Sequence, residues 1–322
     1  MRILMSEAKN CQIGGQAVIE GVMMKSKNFW SLAVRRPDGS ISTRLFNDAS
    51  ITKRYPILGF VFIRGIVILI ETMILGFRAL SYSINEATEE EIKFSKKEMV
   101  ISVAIAVLFS VGIFFILPTL IGRSFSHFFT NYIVYNILEG LIRIGFFLGY
   151  VLIISLLKDI RRLFQYHGAE HKTIQAYENG EKLKPENVKK YSRLHVRCGT
   201  SFLLIVMVVA IFIFALLGEQ TIIWRILSRI LLIPVIAGIS YELIKLAGKF
   251  SKYRIVNVIF YPGLLLQKIT TREPDNSQLE VGISVFSVVL KAEEKLAAKE
   301  KVKVDRELKA ERLKEVKELE SG

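Results

Sequence analysis

Residues 99–121 read MVISVAIAVLFSVGIFFILPTLI, an unbroken uncharged run whose one interruption is Pro118 near its end. As a helix it rises about 34 Å, enough to cross the roughly 30 Å hydrocarbon core of a bilayer. Three further apolar runs follow. Tyr132–Leu157 is long enough to cross and carries Glu139 and Arg143 one helical turn apart. Ser201–Leu217 is short but uncharged. Ile222–Leu246 bears Arg225 and Arg229 early, then Glu242 and Lys245 late. Upstream, Pro56–Ile84 is apolar but holds Arg64, Glu71 and Arg78 at seven-residue steps, which keeps all three on one side of a helix. That stripe reads as an amphipathic or re-entrant helix, since charges inside a span are costly and usually paired. The expected fold is mainly α: a polytopic membrane protein of about four transmembrane helices plus one amphipathic or re-entrant helix.

The 322 residues are 51% hydrophobic and carry a formal charge of +14. In a soluble domain that excess would point to nucleic acid. Beside such spans it marks cytoplasmic loops facing anionic headgroups, so the expected partner is the lipid bilayer and not nucleic acid. Residues 158–200 hold ten Lys and Arg, whereas the connector 122–131 holds only Arg123 and 218–221 holds none. The positive-inside bias puts 158–200 and the C-terminus in the cytoplasm of a multi-pass protein of the cell (inner) membrane. Lys25, Lys27, Arg35, Arg36, Lys53 and Arg54 favour the same side for the N-terminal unit. His127 falls in the outer connector and reads as an interfacial residue.

Three units are expected: a soluble N-terminal unit at 1–55, a membrane domain at 56–290 and a charged helical tail at 291–322. In the first, Phe29–Val34, the turn signal Pro37-Asp38-Gly39 and the alternating Ile41–Phe46 spell a β-hairpin. A lone hairpin is marginal in water, so it must pack on something else. Residues 255–269, centred on Tyr261-Pro262-Gly263, are too short and broken to span and read as an interfacial elbow. The tail is nearly neutral and reads as a solvated helix laced with ion pairs. Cys11 and Cys198 are far apart, outside any Cys-x-x-Cys pair, and suit a reducing compartment. The first ten residues contain no apolar run of signal-peptide length.

Chemistry concentrates at Tyr166-His167-Gly168-Ala169-Glu170-His171. Imidazoles four residues apart stack on one helix face and can reach one metal ion, with Glu170 beside them to take a proton from an activated water. This His-x-x-Glu-His order is the one used by the inverted zinc hydrolases. Two histidines do not hold a divalent metal, zinc in the first place, without a third donor. His195 is the leading candidate; Cys198, Glu178 (two turns past His171) and Glu242 are reserves. Two blander readings stand beside it. The histidines can be interfacial hydrogen-bonding residues, with Glu170 paired to Arg161, Arg162 or Lys172. Alternatively, His167, His171, His195 and Cys198 can close a structural zinc site.

Weaker signals remain. Ile13-Gly14-Gly15-Gln16 and Ile19-Glu20-Gly21 lack the spacing and lysine of a phosphate loop and read as turns around a short strand, with Gln16 and Glu20 as candidate substrate-binding residues. Thr270-Thr271-Arg272-Glu273-Pro274 offers Arg272 and Glu273 for a phosphate headgroup; the plainer reading is a turn held by an Arg–Glu pair. Glu139 and Arg143 most simply neutralise each other inside the bundle.

The stretch from Gly14 to Met24 resembles the opening of the YqhQ-like family, bacterial membrane proteins carrying a domain of unknown function (DUF1385). The resemblance continues at Tyr166–Thr173, His195–Phe202, Tyr241-Glu242 and Thr270–Pro274, covering roughly residues 10–290 and leaving the tail as an addition. It implies a metal-dependent membrane enzyme, a label resting on the same histidines. The functional expectation is a hydrolase acting at the cytoplasmic membrane surface through a metal-activated water, on a lipid-linked or membrane-protein substrate. The rival is a non-enzymatic assembly, transport or scaffold protein.

Overall fold

The computed structural model describes residues 13–47, 55–60, 63–88, 96–129, 131–195, 198–250, 253, 255, 258 and 261–321. Cys11, Lys53, Arg54 and Arg197 lie outside the described residues.

The N-terminal unit is a four-stranded antiparallel sheet in sequential order: β1 (Gly14–Val18), β2 (Gly21–Lys25), β3 (Phe29–Arg35) and β4 (Ile41–Asn47). The expected hairpin is β3–β4, with Trp30 opposite Phe46 and their rings stacked at 4.0 Å. The other two strands extend it because the sheet is covered on both faces. Val18, Met23, Trp30, Leu32 and Val34 pack on Leu75 and Ala79 of helix α1 (Ile63–Thr88). Val22, Met24 and Ala33 face Tyr166 and Ile174 of α5 (Lys158–Glu178) and Val281, Val285, Phe286 and Val289 of a long C-terminal helix, Asn276–Ser321. A strand buried on both sides loses the polar–apolar alternation that would announce it.

Among the described residues two helices are long and apolar enough to cross a membrane: Val100–Ser124 and Tyr132–Ile154. The first joins α2 (Lys96–Val111) to α3 (Leu117–Ser124) through a π turn at Gly112–Ile116; the second is α4. The run at Ser201–Leu217 forms α6 (Gly199–Ala215), apolar but only 17 residues long. The run at Ile222–Leu246 divides into α7 (Ile222–Leu231) and α8 (Ile233–Lys249), bent by 44°. The break immediately precedes Pro234, whose ring cannot continue a regular helix ladder. Two spans, or three if the bent pair is one crossing, therefore replace the four expected from apolar run length.

The chain also turns at 155–157, so α5 is a separate helix and not a continuation of α4. It stops after Glu178 at Asn179-Gly180, Gly180 taking φ +76°, a left-handed cap that glycine adopts without strain. The elbow folds as α9 (Tyr261–Thr270), packed on α6, and the C-terminal helix is α10. Gly282 lets α10 approach α5 closely: a Cβ there would lie 2.9 Å from Thr173 Oγ1 and 3.2 Å from the Ala169 carbonyl. The sheet, α5 and α10 thus form one packed body, which must lie on a single side of any bilayer.

Candidate metal centre

On α5, His167, Glu170 and His171 occupy one face by their i, i+3, i+4 spacing. They line a cavity of about 250 Å³ together with Gly14 and Gly15 of β1, His195, Cys198 and Gly199. His171 and Glu170 are buried, and the two α5 imidazoles meet edge to face with centroids 4.4 Å apart. Each ring is oriented by a backbone carbonyl: His167 Nδ1 lies 2.8 Å from the Thr270 oxygen, and His171 Nδ1 lies 2.6 Å from the Arg193 oxygen. A carbonyl only accepts, so both Nδ1 atoms carry the proton and both Nε2 atoms present a lone pair. This is the outer-shell arrangement that fixes metal-ligating histidines.

The side chain that groups with these two histidines as a candidate third donor is Cys198. Its Sγ lies 3.3 Å from His167 Nε2, and one ligand atom from each of His167, His171 and Cys198 falls within 4.8 Å of the others. Cys198 caps α6, its sulfur accepting from the Thr200 N–H at 3.4 Å. The positive end of the helix dipole sits beside it. His195 stands one step further out: its ring is 5.7 Å from that of His171, and its Nε2 is 3.4 Å from the Glu178 carboxylate. Those two residues flank the triad without joining it. Glu242 is not brought to the site. Its carboxylate pairs with Arg64 of α1, at 2.7 Å to Nε, because α1 crosses α8 closely where Gly65 meets Gly238.

Electrostatics follow from enclosure. Burial pushes the Glu170 carboxyl above the usual carboxylate range, against the opposing pull of His167, His195 and the Gly15 N–H. Burial likewise depresses His171, partly offset by Cys198, and depresses His195. The His171 and His195 rings are therefore held towards their neutral form, which for His171 is the form that ligates a metal.

The other sequence candidates lie outside the cavity lining. Glu20, at φ +51°, is bound by Arg162 (2.6 Å to Nη2) and accepts from Tyr166 Oη at 3.1 Å, fastening the β1–β2 turn to α5. Gln16 packs over Gly76 of α1, away from the cavity lining. Glu273 pairs with Lys172 at 2.8 Å and with Arg193 at 3.7 Å, and not with Arg272. Glu170 therefore has neither Arg162 nor Lys172 as its partner. Arg272 contributes its backbone, donating to the Phe164 carbonyl at 2.8 Å. Gln267, missed in the sequence, is fully buried: it accepts from the His195 N–H, returns a bond to the His195 carbonyl (each 2.8 Å) and donates to Ser201 Oγ. Its only signal was being a lone amide in the apolar turn Leu264-Leu265-Leu266.

Residues 60–292 match the family described as "Protein of unknown function (DUF1385)", well over half of the chain. The chain belongs to the DUF1385 family. His167, Glu170, His171 and Cys198 all fall inside the matched DUF1385 region. The chain is also 36% identical over 299 residues to the uncharacterized protein YqhQ of Bacillus subtilis (strain 168), spanning 87% of this chain and 92% of that one. No solved structure matches.

Proposed function

We propose that this chain is a metal-dependent membrane hydrolase working at the cytoplasmic face of the cell membrane. The observation carrying the reading is the convergence of three donor atoms from His167, His171 and Cys198 within 4.8 Å, both histidines being oriented by carbonyls. Three protein donors leave a fourth position open, as catalytic zinc sites do, and a mixed nitrogen–sulfur set suits zinc among divalent metals. Zinc so held would supply Lewis acidity that brings a water's pKa near neutrality.

The chain's own residues do the rest. Glu170 shares the cavity and its carboxyl is raised by burial, which suits taking a proton from water and returning it to a leaving group. His195, backed by Glu178, is placed to hydrogen-bond a bound polar group. An apolar cavity of about 400 Å³ begins one turn along α6, lined by Ser201, Leu204, Ile205, Val208 and Phe212. Ser201 lies three residues past Cys198 on the same helix face, which favours an amphiphilic substrate, a lipid-linked group or the end of a membrane protein.

The test is metal content. Protein purified in detergent without added metal should carry about one transition-metal ion per chain, lost in His167→Ala and His171→Ala and weakened in Cys198→Ser. Glu170→Gln should keep the ion yet fail to complement a deletion strain. A metal-free wild type that complements would end the proposal; a Glu170→Gln variant that keeps metal and complements would reduce the site to a structural or scaffold role.

A further inference from the structure

Glu139 and Arg143 do pair, at 2.9 Å, but they do not simply neutralise each other. The same carboxylate also receives Arg229 (Nε at 3.1 Å, Nη2 at 3.2 Å) and lies 3.7 Å from Arg225 Nη1. Among the described residues no other carboxylate is within ion-pair distance of these three arginines, so the cluster carries an excess of two positive charges. Glu139 is 1% exposed, Arg143 2% and Arg229 1%. They sit on α4 and α7, helices with enough apolar length to cross a bilayer or form part of a crossing. The aromatic faces of Phe115, Phe214 and Tyr135 lie 4.2–5.2 Å from the guanidinium carbons. Those contacts soften the imbalance without supplying a counter-charge.

Two buried donors in the cluster also lack an acceptor: Arg143 Nη1 and Asn136 Nδ2. They lie seven residues apart on α4, two turns along one face. Each such group carries its full desolvation cost, and an unbalanced buried charge adds a larger one. Missing acceptors and missing negative charge have one common remedy. Arg229 is already saturated by Glu139, Asn136 Oδ1, Gln220 and Ser228, and Arg143 gives Nε to the Phe114 carbonyl and Nη2 to Glu139. We propose that this cluster binds a phosphate-type oxyanion, held by Arg143 Nη1, the Arg225 guanidinium and the Asn136 amide, with Arg229 contributing charge. Guanidinium forks match phosphate oxygens two at a time. Arg225, the least buried of the three at 12% side-chain exposure and the one farthest from Glu139, marks the entrance. The anion can come from a lipid headgroup or from free phosphate. The site owes nothing to the metal centre.

The full chain in neutral detergent is titrated with inorganic phosphate against chloride of equal ionic strength, and with phosphatidylglycerol against phosphatidylcholine, reading the thermal midpoint. The midpoint should rise in at least one arm, and the same rise should appear in His171→Ala. A rise with phosphate identifies a soluble anion; a rise with phosphatidylglycerol alone identifies a headgroup. Arg225→Gln leaves Glu139 paired to both other arginines, so folding should persist while half-saturation moves roughly tenfold higher, the size expected for one charge-assisted hydrogen bond. Retained phosphatidylglycerol in native mass spectra gives a second readout should midpoints be insensitive. No rise and no retained lipid in the wild type, or identical titrations for wild type and Arg225→Gln, would overturn the site.

Discussion

Gly14 and Gly15 are neighbours on β1 and both line the metal cavity, yet they stand in different surroundings. A Cβ at Gly14 meets nothing within 4 Å, whereas one at Gly15 would lie 2.5 Å from the Met23 carbonyl and 2.9 Å from Glu170 Cδ. Gly15→Ala should therefore destabilise the fold by about 1–3 kcal/mol through overpacking and displace the Glu170 carboxyl. Gly14→Ala should be close to neutral. Denaturant melts of the two variants check this, and equal effects would show that β1 does not roof the site as described. The asymmetry explains what sequence could and could not reveal about the site. The His-x-x-Glu-His spacing is readable because helix periodicity alone brings those side chains together. The grouping of Cys198, and not His195, with the two histidines was not, because it depends on the path of residues 179–195 and on Gln267 fixing the His195 backbone. The orienting groups, the carbonyls of Thr270 and Arg193, leave no mark on residue type at all.

Among elements, α10 divides into two parts that its uniform helicity conceals. Val281, Val285, Phe286 and Val289 are fully buried between α5 and the sheet, and Leu279 is fully buried against Ala169, Ala176 and Val188, while from residue 297 to 306 the side chains are exposed. Phe286→Ala should cost about 3–5 kcal/mol by the cavity it leaves. A stop codon after Lys303 should leave the thermal midpoint unchanged, since it removes none of these contacts. A large drop on truncation would mean that the distal helix packs on something within the chain. The charged tail was readable as a solvated helix from composition, but its anchoring half was not, because its apolar residues belong to a core shared with two distant segments. The same logic explains the sheet. β3–β4 alternate enough to be seen, whereas Gly21-Val22-Met23-Met24 is apolar on both faces because α1 and the α5–α10 pair cover it. Spans were legible from run length, and α6 and α7–α8 diverge from that reading because run length does not register a short helix or a bend at proline.

For the whole molecule, packing and charge together determine the sidedness to be tested. The sheet touches α5 and α10, so the N-terminal unit, the metal cavity and the start of α10 share one compartment. The positive-inside bias of the ten basic residues of 158–200 predicts that this compartment is the cytoplasm. Between Val100–Ser124 and Tyr132–Ile154 the connector then lies outside, and Ser126→Cys should react with a membrane-impermeant maleimide in intact cells. Asn187→Cys should react only after permeabilisation. The decisive position is Glu219, between α6 and α7. A 17-residue helix rises about 25 Å, short of the hydrocarbon core unless the bilayer thins or flanking residues complete the crossing. The connector 218–221 lacks Lys and Arg, and the Arg225–Arg229 cluster beside it contacts the same early turns of α4 whose preceding connector is predicted to lie outside. That shared contact places the two connectors at one level, so Glu219→Cys should label from outside together with Ser126→Cys. Labelling of Glu219→Cys only after permeabilisation would make α6 and the bent pair re-entrant, leaving a single two-helix hairpin as the membrane anchor.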